Sequence, residues 1–465
     1  MFPIEKHRNS TIAISDKGED YSYENALEFT NQFKEIIPSR SLVLCLTENN
    51  IESLFGYLAL ILTKAVPVLV DHTTHAHDLV TIISNYRPNY IWLNTKNIDE
   101  FKTFEIIFSF KNYSLIKSLE IRPEKINENL ALLLSTSGST GSPKFVRLSY
   151  TNLIENSKSI IAYLGINKKE RPVTSLPFHY SYGLSIINSH LFCGATILLT
   201  NQSVIQRGFW DFIKSQKASS LSGVPYTYDI LKKLRMLKMD LPHLLTLTQA
   251  GGKLNSKLAE EFAKYCYENG KRFFMMYGQT EATARMSYLP STLCLEKPKS
   301  IGKAIPGGEF KLIGDNGGEV GVNESGELVY HGANVSMGYA HSIEDLTKED
   351  ENRGVLYTGD IAEKDEEGLY YIIGRKKRFI KIFGNRISLD ETESLIKAIV
   401  EDCACSGQDD KMEIFFTGDI TNKEIVDFIS KRTNIHHSAF IVYQLPQIPR
   451  NSFGKVQYSK LLKND

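Results

Sequence analysis

The run Leu132-Leu-Leu-Ser-Thr-Ser-Gly-Ser-Thr-Gly-Ser-Pro-Lys144 has the residue types to hold an anion. An apolar segment leads directly into hydroxyls (Thr136, Ser137, Ser139, Thr140), two glycines (Gly138, Gly141) and the cation of Lys144. Glycines let a backbone approach its ligand closely, and consecutive N–H groups in such a turn form a concave anion nest. Phosphate is the anion this chemistry suits. The loop is not a Walker A element, because the Gly-Lys pairs at 252, 270, 302 and 454 are never followed by Ser or Thr. Gly-X-Gly is absent from the chain, which excludes the dinucleotide fingerprint. A flexible Ser/Gly linker has the same composition, but linkers rarely follow an apolar strand directly.

Four further segments carry groups able to do chemistry. Tyr277-Gly-Gln-Thr-Glu281 follows the apolar run Phe273 to Met276 and by itself reads as a strand-to-loop turn. Tyr357-Thr-Gly-Asp360 also reads alone as a turn, and Thr417-Gly-Asp419 repeats its last three residues without a matching context. Gly374-Arg-Lys-Lys-Arg reads as a solvated basic hairpin. Ile448-Pro-Arg-Asn-Ser-Phe-Gly-Lys455 ends on a lysine that position alone would make a surface charge.

Elements must position these groups. Ser41 to Leu46, Ala65 to Val70, Tyr90 to Leu93, Arg171 to Leu176, Ala195 to Thr200 and Leu244 to Gln249 read as buried strands. Helix-length segments such as Ile51 to Lys64 and Leu79 to Asn85 alternate with them. The alternation predicts an α/β layered core with mostly parallel pairing. Dense glycines after residue 300 predict a small antiparallel or barrel-like β unit. Beyond Gly374, helices over Asp390–Val400 and Lys423–Arg432 with a strand over Glu413–Phe416 predict a small α+β cap.

Bulk properties narrow the function classes. Lys+Arg and Asp+Glu both total 54 in 465 residues, so no global field points to nucleic acid or an anionic membrane. The six scattered cysteines predict reduced thiols and a cytoplasmic location rather than a disulfide framework. The N-terminus has no apolar signal core, and Lys64 and Pro67 break the most apolar stretch, Leu54 to Val70, into a helix, a turn and a strand. The cluster Asp71-His-Thr-Thr-His-Ala-His-Asp78 reads as a solvated helix start, and His436 and His437 as surface residues.

Taken together and in order from Leu132 to Leu461, these motifs resemble the adenylate-forming superfamily of acyl-CoA synthetases, nonribosomal peptide adenylation domains and luciferases. The resemblance implies an adenylate-forming domain over 1–375 with the ATP and acyl pockets, and a mobile C-terminal lid over 376–465. It implies that the 136–141 loop, Lys144, Tyr277, Gly278 and Gln279 line the nucleotide site, that Thr280 contacts the α-phosphate, and that Glu281 helps hold Mg²⁺, a hard cation suited to carboxylate oxygens. Asp360 would receive the ribose hydroxyls, since a carboxylate only accepts. Arg375 would meet ribose or phosphate, and Lys377 would be the hinge. Many members carry an acidic residue next, where this chain has Arg378. Lys455 would stabilise charge during adenylation.

The implied activity is an AMP-forming ligase that activates a small carboxylic acid with ATP, then passes the acyl group to a thiol. Phe178-His-Tyr-Ser-Tyr-Gly183 falls where the family builds its acyl pocket, with Gly251 and Gly252 lining it. Amino-acid-activating members carry an aspartate where His179 stands, so a simple acyl, hydroxyacyl or aryl acid is expected; His179 also reads as a packed core histidine. With no carrier domain after Asp465, the expected acceptor is CoA or the phosphopantetheine of a separate acyl carrier protein. Two other readings stay open here: an adenylating enzyme with a non-thiol acceptor, and a catalytically inactive nucleotide-binding scaffold.

Overall fold

The computed structural model describes residues 2–101, 103–119, 125–135, 144–383, 385–433, 435–450 and 454–461. The chain divides into two compact units. The first comprises 1–298, 304–309 and 331–356, and the second 299–303, 310–330 and 357–465.

The first unit is built on layered sheets. The largest has eight strands in the spatial order Tyr339–Ala340, Phe145–Ser149, Leu130–Ser135, Val66–Asp71, Leu42–Thr47, Tyr90–Asn94, Tyr113–Ser118 and Phe104–Phe110. Its middle strands pair in parallel and its flanks antiparallel. All six residues of Leu42–Thr47 are buried, as a strand covered on both faces requires. The crossover helix Ile51–Leu62 is apolar around its circumference and buried to match. A second sheet runs Ser220–Gly223, Thr246–Gln249, Arg272–Tyr277, Ser287–Leu289, Lys303–Ala304, its first three strands parallel. A third pairs Ile197–Leu199 with Thr11–Ser15 and Asp20–Ser22. Arg171 to Leu176 is a correction to the expected strands. Only isolated bridges form there, from Pro172 to Ser220 and from Val173 to Leu198, because the segment wedges between two sheets and extends neither.

The second unit contains most of the four-stranded sheet Gly308–Ile313, Gly326–Gly332, Val355–Lys364, Tyr370–Arg375. It continues through Phe379–Ile382 paired with Asn385–Ser388, and a sheet of Asp402–Gln408, Lys411–Thr417 and Phe440–Gln444. Helices Leu389–Ile396 and Asn422–Thr433 bury Ile396, Ile425 and Ile429 against that sheet in its own core. Cys403 and Cys405 face this core as free thiols, so burial accounts for both.

Candidate active site

In the first unit, Lys144 stands at the entry to Phe145–Ser149, and the pairing of Ala340 with Phe145 brings Tyr339 beside it. The Lys144 ammonium lies 3.9 Å from the centre of the Tyr339 ring. Tyr339 donates its hydroxyl to Glu281 Oε1 at 2.7 Å. Burial, reinforced by the Glu281 charge, pushes the Tyr339 phenol above its ordinary pKa and keeps it a donor. Behind it, fully buried Arg147 fixes the strand. Its guanidinium pairs with Glu351 at 2.6 Å and also donates to Tyr339 O at 3.1 Å.

Thr280 and Glu281 sit on a tight connection between Arg272–Tyr277 and Ser287–Leu289. Ala282 N and Ala284 N donate to Gln279 O, Thr283 N to Thr280 O, and Met286 N to Tyr277 O. Thr283 and Ala284 both take positive φ, 55° and 86°, so the turn is strained and held from outside. Asn334 does the holding. It donates to Ala282 O and Arg285 O and accepts from the Thr283 hydroxyl through its carbonyl. A Cβ on Gly278 would lie 1.8 Å from Ala284 O, so only glycine fits there. Gln279 donates from Nε2 to the Tyr277 hydroxyl at 3.3 Å. The Thr280 hydroxyl lies 3.1 Å from Ser181 Oγ, at the start of helix Ser181–Cys193.

That helix is buried from Ser181 to Leu191 and follows the segment expected to build an acyl pocket. His179 is buried, with Nε2 3.6 Å from Asp71 Oδ2. Burial lowers its pKa despite the opposing Asp71, so the ring is neutral near pH 7. Asp71 is thus more than part of a solvated helix start, although the helix Ala76–Tyr86 does begin just beyond it. The approach of Asp71 to His179 was not legible from the sequence. Gly183 is obligatory because a Cβ would lie 2.3 Å from Pro177 O. Gly251, at φ 83°, faces the Tyr180 hydroxyl, and Gly252 faces Pro225. The loop residues Thr136, Ser137, Gly138, Ser139, Thr140 and Gly141 lie outside the described residues.

In the second unit, Asp360 and Arg375 are register partners, and Arg375 Nε stands 3.3 Å from Asp360 Oδ1. Lys377 lies in the 3-10 turn Lys376–Arg378 that follows. Arg378 replaces the acid expected there and makes its own network. It pairs with Asp390 and Glu393 at 2.5 Å each and covers the Tyr458 ring at 4.0 Å, while Tyr458 donates to Glu393 at 3.0 Å. Lys455 immediately precedes Val456, which bridges to Arg450. Arg450 clamps Asp402 at 2.7 Å and donates to Gly454 O at 2.7 Å, steadying the residue before the lysine.

Ser181 and Asp71 stand inside segments that the sequence singled out for other residues, while Tyr339, Arg147 and Asn334 belong to no short motif. Mg²⁺ is usually held by one or two carboxylates plus substrate phosphates. Glu281, with one oxygen fixed by Tyr339, suits that donor set. Among the described residues, no cluster of three or more His, Cys, Asp or Glu offers an all-protein metal cage. No helix among them is long and apolar enough to cross a membrane.

Residues 4–340 match the family described as AMP-binding enzyme. A luciferin 4-monooxygenase from Nipponoluciola cruciata is 24% identical over 94% of this chain and 88% of its own length. A long-chain-fatty-acid–CoA ligase from Escherichia coli O157:H7 is 28% identical over 72% of this chain and 62% of its own. Among solved structures, o-succinylbenzoate CoA synthetase from Bacillus subtilis, in complex with its acyl-adenylate intermediate, superposes with a TM-score of 0.81 at 20% identity, over 99% of this chain and 98% of that one. The same enzyme with ATP and magnesium gives 0.79, again at 20% identity and covering 98% of each chain.

Proposed function

The chain belongs to the AMP-binding enzyme family, within the adenylate-forming superfamily, and from that premise we propose that it joins a carboxylic acid to a thiol by way of an acyl-adenylate. The arrangement that supports this reading most is the relay Lys144–Tyr339–Glu281, with Thr280 beside it on the same strained turn. It sets a cation, a fixed carboxylate and a hydroxyl at the end of the phosphate loop.

A carboxylate is a poor acyl donor because its leaving group would be oxide. Attack of its oxygen on the α-phosphorus of ATP forms a new P–O bond and breaks the bond to pyrophosphate, leaving a mixed anhydride. Two anions must then be brought together, so their charge has to be offset in place. Lys144 and the 136–141 loop hold the phosphates, Thr280 orients the α-phosphate, and Lys455 offsets charge as it builds. Glu281, positioned by Tyr339, would hold Mg²⁺, which supplies charge neutralisation when bound. Asp360 accepts from the ribose, with Arg375 beside it. His179, Gly183, Gly251 and Gly252 shape the acyl pocket. In the second step the thiol sulfur attacks the acyl carbon and AMP leaves. The acceptor is CoA or the phosphopantetheine of a separate carrier protein, and residues 376–465 act as a lid turning at Lys377. Free, mostly buried thiols suit a cytoplasmic setting.

The test is carboxylate-dependent ATP–pyrophosphate exchange over short, medium, hydroxy, aryl and amino acids, with Lys455→Ala as the control. Exchange with one acid class, reduced at least about 100-fold in the variant, is the expected result, by analogy with other charge-stabilising donors. Measurable ATP binding with no exchange for any acid would refute the ligase reading. Product analysis with CoA or a phosphopantetheinylated carrier identifies the acceptor.

A further inference from the structure

Arg285 is buried, 2% exposed, yet it is surrounded by neutral groups. Its Nε donates to Ser185 Oγ at 3.0 Å, Nη1 lies 3.0 Å from the Tyr163 hydroxyl and 3.3 Å from Met276 Sδ, and its plane lies 4.9 Å from the centre of the Tyr182 ring. Among the described residues it forms no ion pair, and Nη2 makes no hydrogen bond. Arg147, equally buried, shows the usual arrangement, with Glu351 and backbone carbonyls around its guanidinium. An isolated cation out of water is costly unless an anion joins it.

Arg285 borders a cavity of about 20 Å³ whose wall also includes Arg272, His190, Ser222, Thr248 and Glu170. Glu170, the one carboxylate on that wall among the described residues, accepts from the Ser219 hydroxyl instead. Arg272 is occupied by Leu164 O and the Thr246 hydroxyl. Two guanidinium groups against one carboxylate leave the wall one positive charge in excess. By volume that is room for about one water, the size of a single carboxylate oxygen. The Arg285 backbone is braced as well, since both Asn156 and Asn334 donate to Arg285 O.

The same helix links this cavity to the reacting end of the site. Ser181 touches Thr280, and Ser185, four residues on, holds Arg285. Four helical residues rise only ~6 Å. From the orphaned guanidinium at this short remove from Thr280, we propose that the acid this chain activates carries a second carboxylate, bound by Arg285. This rests on the proposed adenylation of a carboxylic acid and names its class: a short dicarboxylic acid, activated at one end and recognised at the other. A guanidinium fork matches a carboxylate in a way that an ammonium does not.

Pyrophosphate exchange with matched pairs (butanoate and succinate, hexanoate and adipate, benzoate and 2-carboxybenzoate) tests it in the wild type, Arg285→Met and Arg285→Lys. The expected wild-type kcat/KM favours a diacid over its partner by at least ~10-fold, the scale of one hydrogen bond to a charged group. Arg285→Met loses that preference while keeping activity with monoacids, and Arg285→Lys, which retains charge without the fork, falls between. Equal or better wild-type use of every monoacid overturns the proposal and leaves the ligase reading standing. An equal loss for both acids in both variants also overturns it, making Arg285 a structural strut. A thermal-shift titration without ATP separates the two readings. Stabilisation of the wild type but not Arg285→Met by a diacid, with no exchange for any acid, supports the pocket and refutes adenylation. No shift and no exchange with any diacid overturns the pocket.

Discussion

Gly278→Ala should cost activity far beyond its one added methyl group. The new Cβ would stand 1.8 Å from Ala284 O, 2.7 Å from Ala284 C and 2.8 Å from Arg285 Cα, all of them backbone. A carbon–oxygen contact normally needs ~3.3 Å or more, so the turn must open by about 1.5 Å. It cannot open freely, because Met286 N to Tyr277 O closes it at its base and Asn334 pins it from the side. Overpacking of this kind costs about 1–3 kcal/mol of stability. Its larger effect is on Thr280 and Glu281, two and three residues along, since a misplacement of ~1 Å in a positioned reactive group lowers rates by about 100-fold. Pyrophosphate exchange and thermal unfolding, measured on the same preparation, should show the rate falling ~100-fold while the protein remains folded. Gly321→Ala, outside the site, is the control. Its Cβ would meet nothing nearer than Glu324 Oε2, at 3.5 Å, an ordinary contact. Exchange within threefold of wild type in Gly278→Ala, on the scale of the ~100-fold loss expected, would refute the claim that this turn sets the geometry of the chemistry.

Two further outcomes follow from groups around the site. Tyr339→Phe keeps the ring beneath Lys144 but removes the donor to Glu281. Because Glu281 is only half-buried, the loss should sit at the low end of charged hydrogen bonds, ~1.5 kcal/mol, raising the half-saturating Mg²⁺ concentration about tenfold; an unchanged Mg²⁺ curve would mean the hydroxyl does not position the carboxylate. His190 is held neutral, its pKa lowered to about 4 chiefly by burial, against the opposing bond from Nδ1 to Ile186 O and with Arg285 adding to the shift. The unfolded imidazole titrates near ~6.5, so between these values the unfolded chain binds more protons, and stability must fall as pH drops from about 6.5 to 4 by roughly 3 kcal/mol. His190→Asn, which can keep the bond to Ile186, should flatten that part of a denaturation-versus-pH profile, and an unaltered slope would assign the acid sensitivity elsewhere.

The parts that sequence exposed were those where one stretch of chain contains the whole signal. Leu42–Thr47 and Val66–Asp71 show in their unbroken apolar runs because both faces are covered. Thr280, Glu281, Asp360, Arg375 and Lys455 were proposed from local motifs. Tyr339 was not, because its role depends on a two-residue edge strand pairing with Phe145–Ser149 nearly 200 residues earlier. Arg285 lies four residues past a recognised motif, but nothing local distinguishes a buried arginine without an acid from an ordinary surface cation. Arg171 to Leu176 failed for the converse reason. Its apolar pattern is strand-like, but burial there comes from packing between sheets rather than from a ladder. Arg378 reads locally as a bare departure from the family pattern, because its partners Asp390, Glu393 and Tyr458 lie further along the chain.

That network bears on how the proposed lid would deliver its lysine. Arg378 follows the proposed hinge residue and Tyr458 follows Lys455 by three, so the shared contacts with Glu393 tie the start of the proposed lid sequence to its end. In a lid of that kind the lysine would not search for its position on a slack tether. It would travel as the tip of a stiff crank whose pivot is confined to residues before Arg378, with an effective concentration set by the angle of that crank.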